Sequence, residues 1–156
     1  MSLEKSAANQ AGPFRRILGI DFFGGPAKDA ISRIRGGGLL VVPAAPALKD
    51  LDCDADYRES LLNADLAITD SAYMVLIWNA VQRDHLYRLS GLEYLRELLM
   101  EADVRQAGNT VWIMASPKSA KLNLAWLAQE GIDVPAENIY MAPMYGKSIE
   151  DPRCSR

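Results

Sequence analysis

The sequence predicts an α/β fold in which a mostly parallel sheet is flanked by helices. Three observations predict it. Short apolar segments rich in β-branched residues recur at 17–23, 39–42, 66–69, 110–115 and 138–141. Stretches with apolar residues at helical spacing lie between them, and Gly, Pro or Asp-Ser junctions separate the two kinds. Strands alternating with helices pair in parallel and carry helices on both faces, a Rossmann-like layered architecture. Ligands of such sheets bind beyond the C-terminal ends of the strands.

Met1 to Gly12 is small and polar without an apolar signal region, so residues 1–13 read as a disordered leader to an α/β domain over 14–148. Residues 17–23 read as one strand, ended by Gly24-Gly25-Pro26. Pro26 suits the first turn of a helix over 26–35, whose apolar positions are Ala27, Ala30, Ile31 and Ile34. Gly36-Gly37-Gly38 closes that helix and precedes a strand. A phosphate loop has the opposite order, so this is a helix end and turn. Residues 39–42 form a short buried strand, broken by Pro43 and Pro46.

Residues 56–64 read as a helix with Tyr57, Leu61 and Leu62 inward, followed by a central strand at 66–69. Residues 72–81 are apolar on every side, which predicts a buried helix. Leu92, Leu95, Leu98 and Leu99 mark another helix, 110–115 a strand, 119–129 a helix and 138–141 a last strand. Tyr57, Tyr73, Trp78, Trp112 and Trp126 read as core rather than as sugar platforms. Residues 149–156 form a tail in which Asp151-Pro152 resembles the opening of a further helix. A sheet that stops there keeps an open edge, which favours homo-oligomers.

The bulk numbers exclude several functions. A chain of 156 residues fits one domain and can bury a core without disulfides or metal. The net charge of -3 argues against nucleic acid as a partner. The single histidine, His85, and the isolated Cys53 and Cys154 form no metal-binding motif, so no metal or other cofactor is expected. Two isolated thiols fit a reducing, cytoplasmic setting. No apolar run is long enough to span a bilayer.

The candidate site is the set of strand ends. Thr69-Asp70-Ser71 places a carboxylate where a strand gives way to a helix, where it can serve as a general base. Position alone favours an ordinary N-cap over a base, and the two roles can divide, with Ser71 capping and Asp70 facing the cleft. Arg88-Leu89-Ser90-Gly91-Leu92-Glu93 joins an arginine to a helix start, which suits a diphosphate, or else a surface arginine with Ser90 as a cap. Ser116-Pro117-Lys118-Ser119 repeats the theme: Ser116 and Pro117 fit a helix cap, and Lys118 can reach a phosphate or stay solvated. Pro143 to Tyr145 closes the set.

The order of these segments resembles the WecG/TagA/CpsF glycosyltransferases (glycosyltransferase family 26). Ile17-Leu18-Gly19-Ile20-Asp21-Phe22-Phe23 is similar to the family's opening strand, and Gly38-Leu39-Leu40-Val41-Val42-Pro43 to its second. The segment from Tyr57 through Asn63-Ala64-Asp65-Leu66 to Asp70 is the closest match, a helix, turn and strand ending in Asp. Arg88 to Glu93 resembles an Arg-Val-(Ala/Ser/Thr)-Gly-x-Asp segment, and Met144-Tyr145-Gly146 falls near a Gly-Tyr-Phe region. The resemblance implies an inverting, metal-independent transferase that moves an N-acetylmannosamine-type sugar from a UDP donor to a lipid-linked sugar acceptor in cell-surface polysaccharide synthesis. It implies Asp70 as the base and peripheral contact with the inner face of the membrane. Thr69, Ser71, Arg88, Ser90, Gly91, Glu93, Ser116, Lys118 and Tyr145 are the expected substrate contacts.

The chain departs from the family at specific places. Pro43 and Ala45 replace a Thr and an Asn of the first site loop, Glu93 replaces Asp, and Ala115-Ser116-Pro117-Lys118 replaces a glycine-rich turn. The later family segment and the C-terminal appendage have no counterpart. These departures keep a second function open, a non-catalytic relative that binds a nucleotide sugar or a protein.

Overall fold

The computed structural model describes residues 12–49 and 51–143. It comprises two compact units, one up to Leu98 and one from Leu99. In the first, β1 (Phe14–Ile17) and β2 (Ile20–Phe23) form an antiparallel hairpin. The single strand expected at 17–23 is thereby corrected. Leu18 and Gly19 turn the chain with φ of 53° and 85°. Two successive positive φ angles make the tight hairpin turn whose twist matches the strands it joins.

Helix α1 (Ala27–Ile34) follows Pro26 and buries Ala27, Ala30 and Ile31, the face its spacing predicts. The turn after it needs glycine. Gly38 has φ of 132°, and a Cβ there would lie 2.8 Å from the Asp65 carboxylate, which accepts the Leu39 N–H at 2.7 Å. Strand β3 (Leu40–Val41) is two residues long. A short α2 (Ala45–Leu48) follows where Pro43 and Pro46 read only as breakers. Proline is tolerated in a first helical turn, which has no intrahelical use for its N–H. Helix α3 (Ala55–Leu62) is capped by Asp54, whose side chain accepts the Tyr57 N–H at 2.9 Å. Leu61 is buried, but Leu62, expected inward, is exposed.

Strand β4 (Leu66–Ile68) is wholly buried, and the sheet order is β1-β2-β4-β3. Only the hairpin pair is antiparallel; β2 with β4 and β3 with β4 run parallel. Alternation along β2 and β4 builds a core on each face. Phe23, Leu66 and Ile68 pack with α1, Leu89 and Tyr94; Ile20, Phe22 and Ala67 pack with Leu48, Leu51 and Leu61. The expected α/β layering with mainly parallel pairing is thus present, in a small sheet with an antiparallel edge.

Helices α4 (Ala72–Gln82) and α5 (Gly91–Leu98) complete this unit. The buried helix expected at 72–81 is a correction. Only Val75 is buried, while Tyr73, Leu76, Ile77 and Val81 are exposed. Strands of two to four residues cover one line of a helix, not its circumference. In the second unit α6 (Ala102–Arg105), β5 (Trp112–Met114), α7 (Pro117–Gln129), a 3-10 turn (Ala136–Asn138) and β6 (Ile139–Met141) follow, with β5 and β6 parallel. Leu99, Leu127 and Ile132 form its core. Tyr73 and Trp126, expected in the core, are exposed; Tyr57, Trp78 and Trp112 are half-buried.

One polar cluster ties the hairpin to the end of α4. Arg15 donates through Nε and Nη2 to the Asp84 carboxylate, which also accepts Trp78 Nε1–H at 3.0 Å and the His85 N–H at 2.8 Å. The Arg15 guanidinium, then the Trp78 indole, hold the Asp84 carboxyl far below the usual carboxylate range. A depressed folded-state pKa gives stability that is present above the unfolded value of ~3.9 and is lost as pH falls below it. Thermal melts of wild type and Asp84→Asn are therefore expected to differ at neutral pH and to converge in acid. A gap that stays constant down to pH ~3 rules out this linkage.

Candidate active site

Strand β4 stops at Ile68, and Thr69-Asp70-Ser71 leads into α4. Ser71 caps that helix: its Oγ accepts the Met74 N–H at 3.1 Å and its carbonyl accepts the Val75 N–H. The cap is therefore supplied by Ser71, and Asp70 has different partners. Asp70 Oδ1 accepts the Gly91 N–H at 2.8 Å, and its backbone carbonyl accepts Arg88 Nε–H at 2.9 Å. Thr69 is fully buried; its hydroxyl donates to the Tyr87 carbonyl at 2.8 Å and accepts the Leu89 N–H at 2.9 Å. Four hydrogen bonds thus fasten residues 87–91 to two residues at the end of the central strand.

The fit at Gly91 is tight. A Cβ there would lie 2.9 Å from Val42 Cγ1 and 3.8 Å from Asp70 Oδ1. Glycine lets the start of α5 approach both the end of β3 and the carboxylate. Val42 is β-branched, so it has few rotamers with which to yield.

Ser90 caps α5, with Oγ accepting the Glu93 N–H at 3.1 Å and its carbonyl accepting the Tyr94 N–H at 2.9 Å. The Gly91 and Glu93 N–H groups are therefore already bonded to Asp70 and Ser90. A diphosphate at this helix start would meet the Arg88 guanidinium rather than those two amides. Arg88 is exposed, and among the described residues its Nη atoms make no hydrogen bond. Asp70 is half-buried, and among the described residues its Oδ2 accepts none.

Tyr87 is a component that sequence reading missed. Its hydroxyl donates to Glu93 Oε1 at 2.7 Å, and this bond pushes the phenol above its ordinary range. A tyrosine six positions ahead of a glutamate gives no sequence signal, because a loop and not a helix brings them together.

Of the other expected residues, Ser116 and Lys118 belong to the second unit. There Ser116 and Ser119 form a reciprocal capping box at the start of α7, with Pro117 in the first turn, and Lys118 is exposed. Tyr145 lies outside the described residues. Pro43 is buried just past β3, and Ala45 opens α2. Among the described residues no group of three potential metal ligands converges, and no helix is long and apolar enough to cross a membrane.

The chain matches the glycosyl transferase WecG/TagA/CpsF family over residues 15–148. It belongs to that family. The matched stretch of this WecG/TagA/CpsF glycosyltransferase contains every hydrogen bond that joins Thr69 and Asp70 to the 87–91 loop. No curated protein and no solved structure matches the chain.

Removing the Thr69 hydroxyl leaves the buried Leu89 N–H without a partner, a loss of about 1–3 kcal/mol. Thr69→Val is expected to lower the urea midpoint accordingly, while Thr69→Ser, which keeps the hydroxyl and loses a buried methyl, is expected to keep the slow exchange of the Leu89 amide that Thr69→Val loses. Equal stability of all three proteins contradicts the role given to this hydroxyl.

Proposed function

We propose that this chain transfers an N-acetylmannosamine-type sugar from a UDP donor to a lipid-linked sugar acceptor, with Asp70 as general base. The observation that carries this reading is the division of the Asp70 carboxylate. Oδ1 is fixed by the Gly91 N–H, and Oδ2 accepts no hydrogen bond among the described residues. A carboxylate held through one oxygen presents the other in a defined direction, and orientation is much of what a base needs.

In the proposed step the acceptor hydroxyl gives its proton to Asp70 Oδ2. The acceptor oxygen bonds to the anomeric carbon as the bond from that carbon to the UDP oxygen breaks, and UDP leaves with the bonding pair. Attack opposite the leaving group inverts the anomeric centre. Arg88, anchored through Nε to the Asp70 carbonyl, has its two Nη groups left to offset charge on the departing diphosphate. A lipid-linked acceptor would bring the protein to the cytoplasmic face of the membrane as a peripheral contact.

Asp70→Asn keeps an oxygen able to accept the Gly91 N–H but is no base. It is expected to bind UDP-sugar like wild type and to lose about 10²–10⁴-fold in turnover. Unchanged turnover removes Asp70 from the mechanism.

A second reading is a binding-only relative. It is favoured by Pro43 and Ala45, which offer no side-chain hydrogen bonds where the family has Thr and Asn, and by the occupied N–H groups of Gly91 and Glu93. Stabilisation by a UDP-sugar in a thermal-shift assay, with no transfer to any lipid-linked acceptor tried, selects this reading.

A further inference from the structure

The exposed side of α4 is a different kind of surface from the Asp70 site. Along the helix Tyr73, Leu76, Ile77, Ala80 and Val81 fall at i, i+3, i+4, i+7 and i+8, the spacing of a helix-packing stripe. Tyr73, Leu76, Ile77 and Val81 are 69%, 67%, 43% and 71% exposed. Three residues of the stripe, Tyr73, Ile77 and Val81, themselves form one wall of an apolar groove of about 350 Å³, and Ile17, Leu18 and Leu48 are among the residues that line the rest of it. Leu76 stands outside the groove on the same helix. The face therefore carries both a knob and a hole.

Leu18 adds an independent observation. It is a branched residue at positive φ, 62% exposed, at the tip of the hairpin that borders the groove. That backbone conformation suits glycine or asparagine, and water does not favour a leucine side chain. A free surface gives no reason to keep leucine there, whereas a surface that becomes covered does.

We infer that this face is a two-fold interface with a second copy of the same chain, the α4 stripe of each copy lying against the other and Leu76 entering the partner's groove. Two arguments select a second copy over other occupants. The first is area. Tyr73, Leu76, Ile77, Val81 and Leu18 are all exposed on this face, an extended apolar surface of the kind that supplies the ~800 Å² each partner gives to a stable interface. A knob and a hole on one surface also meet the requirement of a two-fold contact, in which each copy supplies both halves. The second is charge. Helix α4, AYMVLIWNAVQ, has no ionisable cation or acid apart from the Tyr73 phenol. An interfacial membrane helix carries Lys and Arg along its rim. Lys49, on the groove wall, has a partner within the chain.

Sedimentation equilibrium of the full chain tests this. Wild type is expected to dimerise with a micromolar constant. Leu76→Glu, at a position exposed in the monomer, is expected to weaken dimerisation about 30-fold or more while leaving the melting temperature at monomer concentrations unchanged. Leu18→Asn is expected to weaken the dimer too, yet to leave the monomer as stable or more so, because asparagine accepts the turn. Wild type that stays monomeric at about 100 μM overturns the inference. So does a dimer indifferent to both substitutions. Flotation of wild type with phosphatidylglycerol vesicles as a monomer, abolished in Leu76→Glu, overturns it in favour of a lipid surface.

Discussion

The buried hydroxyl of Thr69 is the contact on which the geometry of the site depends. It sits where the central strand ends, donates to Tyr87 and accepts from Leu89, and so fixes both sides of the turn that leads into α5. With those two residues placed, the Gly91 N–H reaches Asp70 and the Arg88 side chain folds back onto the Asp70 carbonyl. A hydroxyl can do this because it both donates and accepts. Burial gives the arrangement its force: Thr69 and Leu89 are both fully buried, so the Leu89 N–H has no water to turn to if it leaves the hydroxyl.

This explains how a short sheet can support a defined site. The strands carry only two to four residues each, and the loop after α4 has no ladder to hold it. Side chains at the strand end take over that task. Ser71 closes the start of α4, Ser90 closes the start of α5, and Asp70 lies between the two helix starts with one oxygen bonded to the second. The adjacent Thr69, Asp70 and Ser71 thus have three separate roles. Membership of the WecG/TagA/CpsF family gives that arrangement a chemical setting, sugar transfer, in which an oriented carboxylate beside an arginine is useful.

Much of this was legible in the sequence wherever the determining contacts are local. The face of α1 followed from its apolar spacing, the glycine turn before β3 from its position behind a helix, and the capping by Ser71 and Ser116 from their places ahead of helices. What failed depended on partners distant in sequence. The run at 17–23 hid a hairpin because its partner strand, Phe14 to Ile17, carries Arg15 and Arg16 and gives no apolar run of its own, and one glycine in an apolar run is a weak break. The apolar ring of α4 promised burial, but how much of a helix is covered is set by sheet width, which periodicity does not encode. The Thr69 bonds to residues 18 and 20 positions away, and the Tyr87–Glu93 pair, leave no local trace. The same limit applies to Glu93, which reads as a substitute for Asp and is found bonded to a tyrosine.

Amide hydrogen exchange at Leu89 and Gly91 tests the central geometry most directly, since each donates to a side-chain oxygen of the strand end and to no helix or sheet ladder. Both are expected to exchange slowly in wild type, at rates comparable to core amides of β4, and Gly91 alone is expected to speed up in Asp70→Ala. Rapid exchange of both in the wild-type protein, at the rate of an open loop, would contradict the fastening of residues 87–91 to Thr69 and Asp70.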